Sequence, residues 1–86
     1  MALSFGEKAV GLTFNPSGDE DVNRAKRLYA EIIDLAASLR SVEPIGCHDG
    51  ALTRIAQNEK NRLLSIAITE AQAAQMWLVK AITWRD

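Results

Sequence analysis

Three small sets of side chains in this sequence could do chemistry. The first is cationic: Lys26 stands near the start of a helical pattern, with Arg27 beside it and Arg24 two residues before. Asn15-Pro16-Ser17-Gly18 reads as a turn that folds Phe14 and Asn15 back towards Lys26. An ammonium is a compact point charge suited to a phosphate, and an aromatic face accepts any nucleobase. Phe14, Asn15 and Lys26 therefore describe a pocket for a nucleotide-like anion. The plainer alternative is a solvated basic face that offsets Asp19, Glu20 and Asp21, with Phe14 packed on the helix and Asn15 serving only as a turn former. The second set is Arg62, Ser65 and Thr69, whose spacing puts one guanidinium and two hydroxyls on a single helical face. Repeated by symmetry about an axis, that strip becomes a ring of phosphate donors. Read plainly, it is a small polar seam along which helices approach closely.

The third set, Cys47-His48-Asp49, spells a nucleophile, a base and an orienter. Neighbours in a loop rarely aim at one another, because such triads are assembled across a fold. Glu59 and Glu70 are three helical turns apart, about 16 Å, which is too far for paired-carboxylate chemistry. The sequence has no P-loop, GxGxxG or HExxH pattern, and its single cysteine and single histidine fall short of a four-ligand metal site. The expected chemistry is binding, without catalysis, metal or cofactor.

The elements that must position these residues follow from the periodicity. In residues 1–18, Val10, Leu12 and Phe14 alternate with Gly11 and Thr13, which predicts a short extended or strand-like arm. Ser17 and Glu20 fit a capping box, and Asp19, Glu20 and Asp21 suit the positive end of a helix dipole. A first helix is expected over residues 19–42, with Val22, Ala25, Tyr29, Ile32, Ala36 and Leu39 as its seam and Val42-Glu43-Pro44 as its end. Residues 43–50 read as a loop in which Asp49 caps a second helix over residues 51–84. At about 1.5 Å per residue that helix is about 50 Å long against about 35 Å for the first, so it overhangs or bends near residues 57–60. It carries two seams, Leu63, Ile66, Ala73, Trp77, Ala81, Trp84 and Leu64, Ile68, Ala71, Leu78, Ile82. One partner helix covers only one of them. Trp77 and Trp84 are expected in the core, and the Leu64 seam is expected to meet other protomers.

The 86 residues make a single domain, residues 1–86. A chain this short hides only about 60–65% of its unfolded surface, and one cysteine provides no internal disulfide, so assembly into an oligomer is expected. Ten Lys+Arg against eleven Asp+Glu, a formal charge of -1, argue against a binder of polymeric DNA or RNA. Residues 1–10 lack the apolar run of a secretory signal, and residues 63–84 include Glu70, Gln72, Gln75 and Lys80, which are costly in a bilayer. A cytoplasmic protein without a membrane partner is expected.

The segment 61–72, Asn-Arg-Leu-Leu-Ser-Ile-Ala-Ile-Thr-Glu-Ala-Gln, with Ala74-Gln75-Met76-Trp77 and Val79-Lys80-Ala81-Ile82-Thr83-Trp84, resembles the hairpin domain of phage anti-defence sponges, the family of anti-CBASS protein two and Thoeris anti-defence protein one. Phe14-Asn15-Pro16-Ser17-Gly18 and Val22-Asn23-Arg24-Ala25-Lys26 resemble its short members, so the likeness spans residues 10–84. It implies an all-α antiparallel helical hairpin, assembled as a hexamer in the host cytoplasm during infection. Such a protein sequesters immune cyclic dinucleotides, cyclic trinucleotides or cyclic ADP-ribose isomers without cleaving them. By the resemblance, Lys26 matches a phosphate-gripping lysine of the small-ring pocket, and Phe14 and Asn15 match its stacking aromatic and hydrogen-bonding neighbour. Arg62, Ser65 and Thr69 match a trinucleotide ring on a threefold axis. Where the anti-CBASS branch has an arginine, this chain has Ile68. The rival expectation is a phage structural or regulatory hairpin whose second seam binds a protein partner and no nucleotide.

Overall fold

Ser4 starts the first helix. Its hydroxyl accepts the Glu7 amide at 3.0 Å while the Glu7 carboxylate accepts the Ser4 amide at 2.8 Å, a reciprocal capping box that opens α1 (Phe5–Ala9). The computed structural model describes residues 2–40 and 51–85, with side chains from residue 55 onward in the second stretch. α1 ends where Gly11 adopts φ +63°, a left-handed conformation that suits a residue without Cβ. The Gly11 amide then reaches Lys8 O at 3.1 Å and the Leu12 amide reaches Glu7 O at 3.0 Å, which is the Schellman pattern. This corrects the strand-like arm expected around Val10, Leu12 and Phe14. A capped turn of helix closed by glycine satisfies the backbone within the chain, whereas a lone strand leaves its ladder unpaired.

The turn of residues 15–18 closes with the Gly18 amide on Asn15 O at 3.1 Å and leads into α2 (Glu20–Leu39). Asp19, rather than Ser17, is the N-cap: its carboxylate accepts the Asp21 amide at 2.7 Å. The Ser17 hydroxyl instead accepts the Asp19 amide and donates to Asn15 Oδ1, so it braces the turn. α2 stops short of the predicted residue 42, because Arg40 turns to ψ 132° after its amide bonds Ala37 O. The expected loop over residues 43–50, with Val42-Glu43-Pro44, Cys47-His48-Asp49 and the Asp49 cap, lies outside the described residues.

α3 (Ala51–Ile82) is a single continuous helix. It packs antiparallel on α2: Arg40 meets Ser65 at one end, and Val22 shares a cleft with Val79 and Thr83 at the other. The first turns of α3 therefore overhang α2, giving a flat molecule of 57 × 31 × 12 Å. Its small core joins all three helices: Val10 after α1, Ala30, Ile33 and Ala36 on α2, and Ile68 and Ala71 on α3. Ile33 is wholly enclosed, at 0% exposure.

Two seams are assigned differently from the sequence expectation. On α2 the buried face runs Val22, Ala25, Lys26, Ala30, Ile33, Ala36, while Ile32 and Leu39 are exposed. On α3 the Leu64, Ile68, Ala71 side faces the core, and Leu63, Ile66, Trp77 and Trp84 are exposed, Trp77 at 69%. The cause is the small core. Packing Ile68 and Ala71 under Ile33 and Ala30 lets the helices approach closely, and indole rings would hold them apart. The result is an outer stripe on each long helix: Leu28, Ile32, Leu35, Leu39 on α2 and Leu63, Ile66, Trp77 on α3.

Candidate functional site

Lys26 emerges from the buried face of α2 and is only 6% exposed. Its ammonium donates to Gly11 O at 3.0 Å and to Phe14 O. A buried ammonium needs such partners, and two carbonyls use two of its three N–H donors. The Phe14 ring stands 5.5 Å from Nζ, within cation–π range, and is itself 70% exposed. Phe14 is thus not packed down on the helix; one face of its ring is open. Asn15 is half-buried, donating Nδ2–H to Asp19 O at 3.0 Å and accepting the Ser17 hydroxyl at 2.8 Å.

Phe14, Asn15 and Lys26 come together in one cleft of ≈ 280 Å³, bounded at the far side by Val79 of α3 and by Thr83 just past its end. Val79 and Thr83 were not foreseen from sequence, because their place depends on how α3 packs along α2. The Thr83 hydroxyl donates back to Val79 O at 2.8 Å and keeps its lone pairs for a second partner. The cleft offers a cation, an aromatic face and a mostly apolar floor.

The second set lies on a different surface. Arg62 is paired with Glu59, Nη2 to Oε2 at 2.6 Å and Nε to Oε1 at 3.0 Å, in a fork geometry exposed to solvent. The Arg62 hydrogen bonds hold the Glu59 carboxyl below its ordinary range, and Glu59 in turn raises Arg62. The Thr69 hydroxyl donates to Ser65 O at 3.2 Å. The Ser65 hydroxyl accepts Arg40 Nη1 at 3.3 Å, so a second guanidinium joins the strip from the end of α2. Sequence reading missed Arg40, since nothing in its local pattern ties it to a residue 25 positions on. Ile68 is a core residue and adds no charge. Arg62, Ser65 and Thr69 share a face of α3, with Arg62 and Thr69 exposed and Ser65 half-buried.

Fold and sites together define a class: a small helical hairpin with a folded-back N-terminal arm that carries a cationic, aromatic-walled cleft. The sequence model of the family described as "Acb2/Tad1, hairpin domain" matches residues 7–83, and the chain belongs to that family. Searches of curated proteins and of solved structures returned no match. The family implies an anti-defence role in which cyclic nucleotides are sequestered by binding. No helix among the described residues is long and apolar enough to cross a membrane.

Proposed function

We propose that this chain is a phage sponge that takes small cyclic nucleotides, cyclic dinucleotides or cyclic ADP-ribose isomers, into the Phe14–Asn15–Lys26 cleft and releases them chemically unchanged. The observation that carries the reading is Lys26: a buried ammonium, tied to two arm carbonyls, with one N–H left over inside a cleft walled by an open aromatic ring. A phosphate takes that donor, and a base stacks on Phe14. Asn15 Nδ2 has a second N–H to offer a base edge or ribose. The described residues of the cleft provide no nucleophile–base pair for attack on a phosphodiester.

One chain supplies only part of the enclosure. The cleft of ≈ 280 Å³ falls just below the roughly 300–1,000 Å³ used by ligand pockets, so a cyclic dinucleotide needs a second wall from another copy. The exposed stripes on α2 and α3 supply the surface for assembly, and the hexamer implied by the resemblance fits that need. In such an assembly Arg62, Ser65 and Thr69, with symmetry mates, form a second pocket for cyclic trinucleotides on a threefold axis. A protein that is monomeric by sedimentation at micromolar concentration contradicts the assembly.

The same exposed stripes favour the rival reading, a hairpin that binds a protein partner and no nucleotide. A thermal-shift screen of cyclic dinucleotides, cyclic trinucleotides and cyclic ADP-ribose isomers separates the two. The sponge reading predicts a concentration-dependent rise in melting temperature with at least one ring, by mass action, and intact ligand on chromatography after heating. No shift with any ring supports the rival, and linearised product overturns binding without cleavage.

A further inference from the structure

The start of the chain is fastened to α2 by one side chain. Asp34 accepts hydrogen bonds from Ser4 Oγ and from the Gly6 amide, each at 2.6 Å. Both are short bonds to a carboxylate, the charge-assisted kind. Gly6 has no room for a side chain, since a Cβ would stand 2.2 Å from Ala30 O and 2.8 Å from Asp34 Oδ1. α1 is therefore seated backbone against backbone on α2. From this clasp the arm runs back along α2: the Schellman turn drops Val10 into the core, and the Phe14 amide donates to Gly11 O at 2.9 Å. Gly11 O and Phe14 O then meet Lys26.

The arm is thus held at two places on one helix, by Asp34 and by Lys26. The two clasps are not equivalent. Lys26 faces the cleft, and beside its two bonds to the arm it has one N–H to give a ligand. Asp34 is spent on Ser4 and Gly6, and is absent from the Phe14 cleft lining. We propose that Asp34 is a positioning residue for the cleft: through Ser4 and Gly6 it keeps α1, and with it the Phe14 wall, docked on α2 when the spare Lys26 N–H takes a ligand. This rests on the cyclic-nucleotide reading above and adds to it a residue that touches no ligand. If only a fraction of molecules have the arm docked, the apparent affinity falls by that fraction.

The experiment uses the full chain. Parent, Asp34→Ala, Asp34→Asn and Lys26→Met are titrated calorimetrically with cyclic di-GMP, cyclic di-AMP, cyclic GMP-AMP and cyclic tri-AMP, with oligomer size and amide hydrogen exchange followed in parallel. Asp34→Ala is expected to weaken small-ring binding about tenfold, in proportion to the loss of docked arm. Trinucleotide binding and oligomer size should stay at the parent value, and exchange should quicken over residues 5–14 and not in α2 or α3. Asp34→Asn keeps an acceptor for the Gly6 amide and should recover affinity to within about threefold of the parent. Parent-like small-ring affinity in Asp34→Ala, despite a fast-exchanging arm, overturns the proposal. So does an equal loss for both ligand classes, the mark of a merely structural role. If Asp34→Ala does not fold, Asp34→Asn carries the test, and parent-like affinity with faster arm exchange overturns the proposal there as well. Undiminished small-ring binding by Lys26→Met, or none by the parent, defeats the cleft reading itself, and the clasp falls with it.

Discussion

At one end of the hairpin Lys26 lies buried against carbonyls of its own arm, whereas along α3 Arg62 lies exposed and forked onto the Glu59 carboxylate. The first cation is fixed by the fold: its stem crosses the core face of α2, and its head has nowhere else to go. The second is held by a neighbour one helical turn away on an exposed surface. The difference separates the two candidate pockets by how much of each a single chain completes. The Lys26 cleft has floor, aromatic wall and charge in place, while the Arg62 strip presents its groups on an exposed helix face. On the proposed reading, a ligand at Lys26 would meet preorganised groups, and a ligand at Arg62 would first have to displace Glu59 and gather copies of the strip around an axis.

The comparison is broken most forcefully at Lys26. Lys26→Met keeps the buried stem and removes the charge, so small-ring binding should fall by about a hundredfold, the loss of a charge-assisted phosphate contact. The same variant leaves Gly11 O and Phe14 O without their donor and should lose about 1–3 kcal/mol of stability in denaturant unfolding. Phe14→Ala tests the aromatic wall. With the ring already exposed, its removal should cost little stability but about 10- to 30-fold in small-ring affinity by titration, within the range for one stacked base.

Smaller effects belong to the exposed strip. Arg62→Ala should weaken trinucleotide binding about tenfold, leave small rings untouched and leave oligomer size unchanged, because sites without shared partners act roughly additively. A fall in oligomer size instead identifies the strip as a packing seam. Glu59→Gln sharpens the contrast: by removing the anion that competes for Arg62, it should tighten trinucleotide binding about two- to fourfold. The pH dependence has the same origin. Glu59 is held below its ordinary range, so the pair is intact above that range and is lost as pH falls through the lowered value. The advantage of Glu59→Gln over the parent should therefore be full at neutral pH and vanish only at strongly acidic pH, as titrations across that range would show.

The residues of the hairpin were legible where local chemistry repeats. Helical spacing marked both long helices, and the Asn15–Gly18 turn placed Phe14 and Asn15 near Lys26, where the fold has them. Two kinds of information were not in the periodicity. Alternation at Val10, Leu12 and Phe14 imitated a strand, although Ser4, Glu7 and Gly11 carried the signals of a capped helix closed by a left-handed residue. Those signals are four residues apart or fewer and needed to be read against the alternation. The seams of α3 were exchanged because which apolar stripe packs inward depends on the rotation of one helix against another. Here it is decided by small residues, Ala30, Ala36 and Ala71, that permit close approach. Asp34 and Arg40 escaped for the same reason: their partners, Ser4, Gly6 and Ser65, are 25 to 30 positions away.

The central claim is that Lys26 and Arg62 serve separate pockets for separate rings. Its most direct test is calorimetric titration of Lys26→Met and Arg62→Ala, each with a cyclic dinucleotide and a cyclic trinucleotide at verified oligomer size. The account predicts a crossed pattern, in which Lys26→Met loses the dinucleotide and keeps the trinucleotide while Arg62→Ala does the reverse. Dinucleotide binding by Lys26→Met as tight as the parent's, or loss of both ligands in Arg62→Ala with the assembly intact, would contradict it.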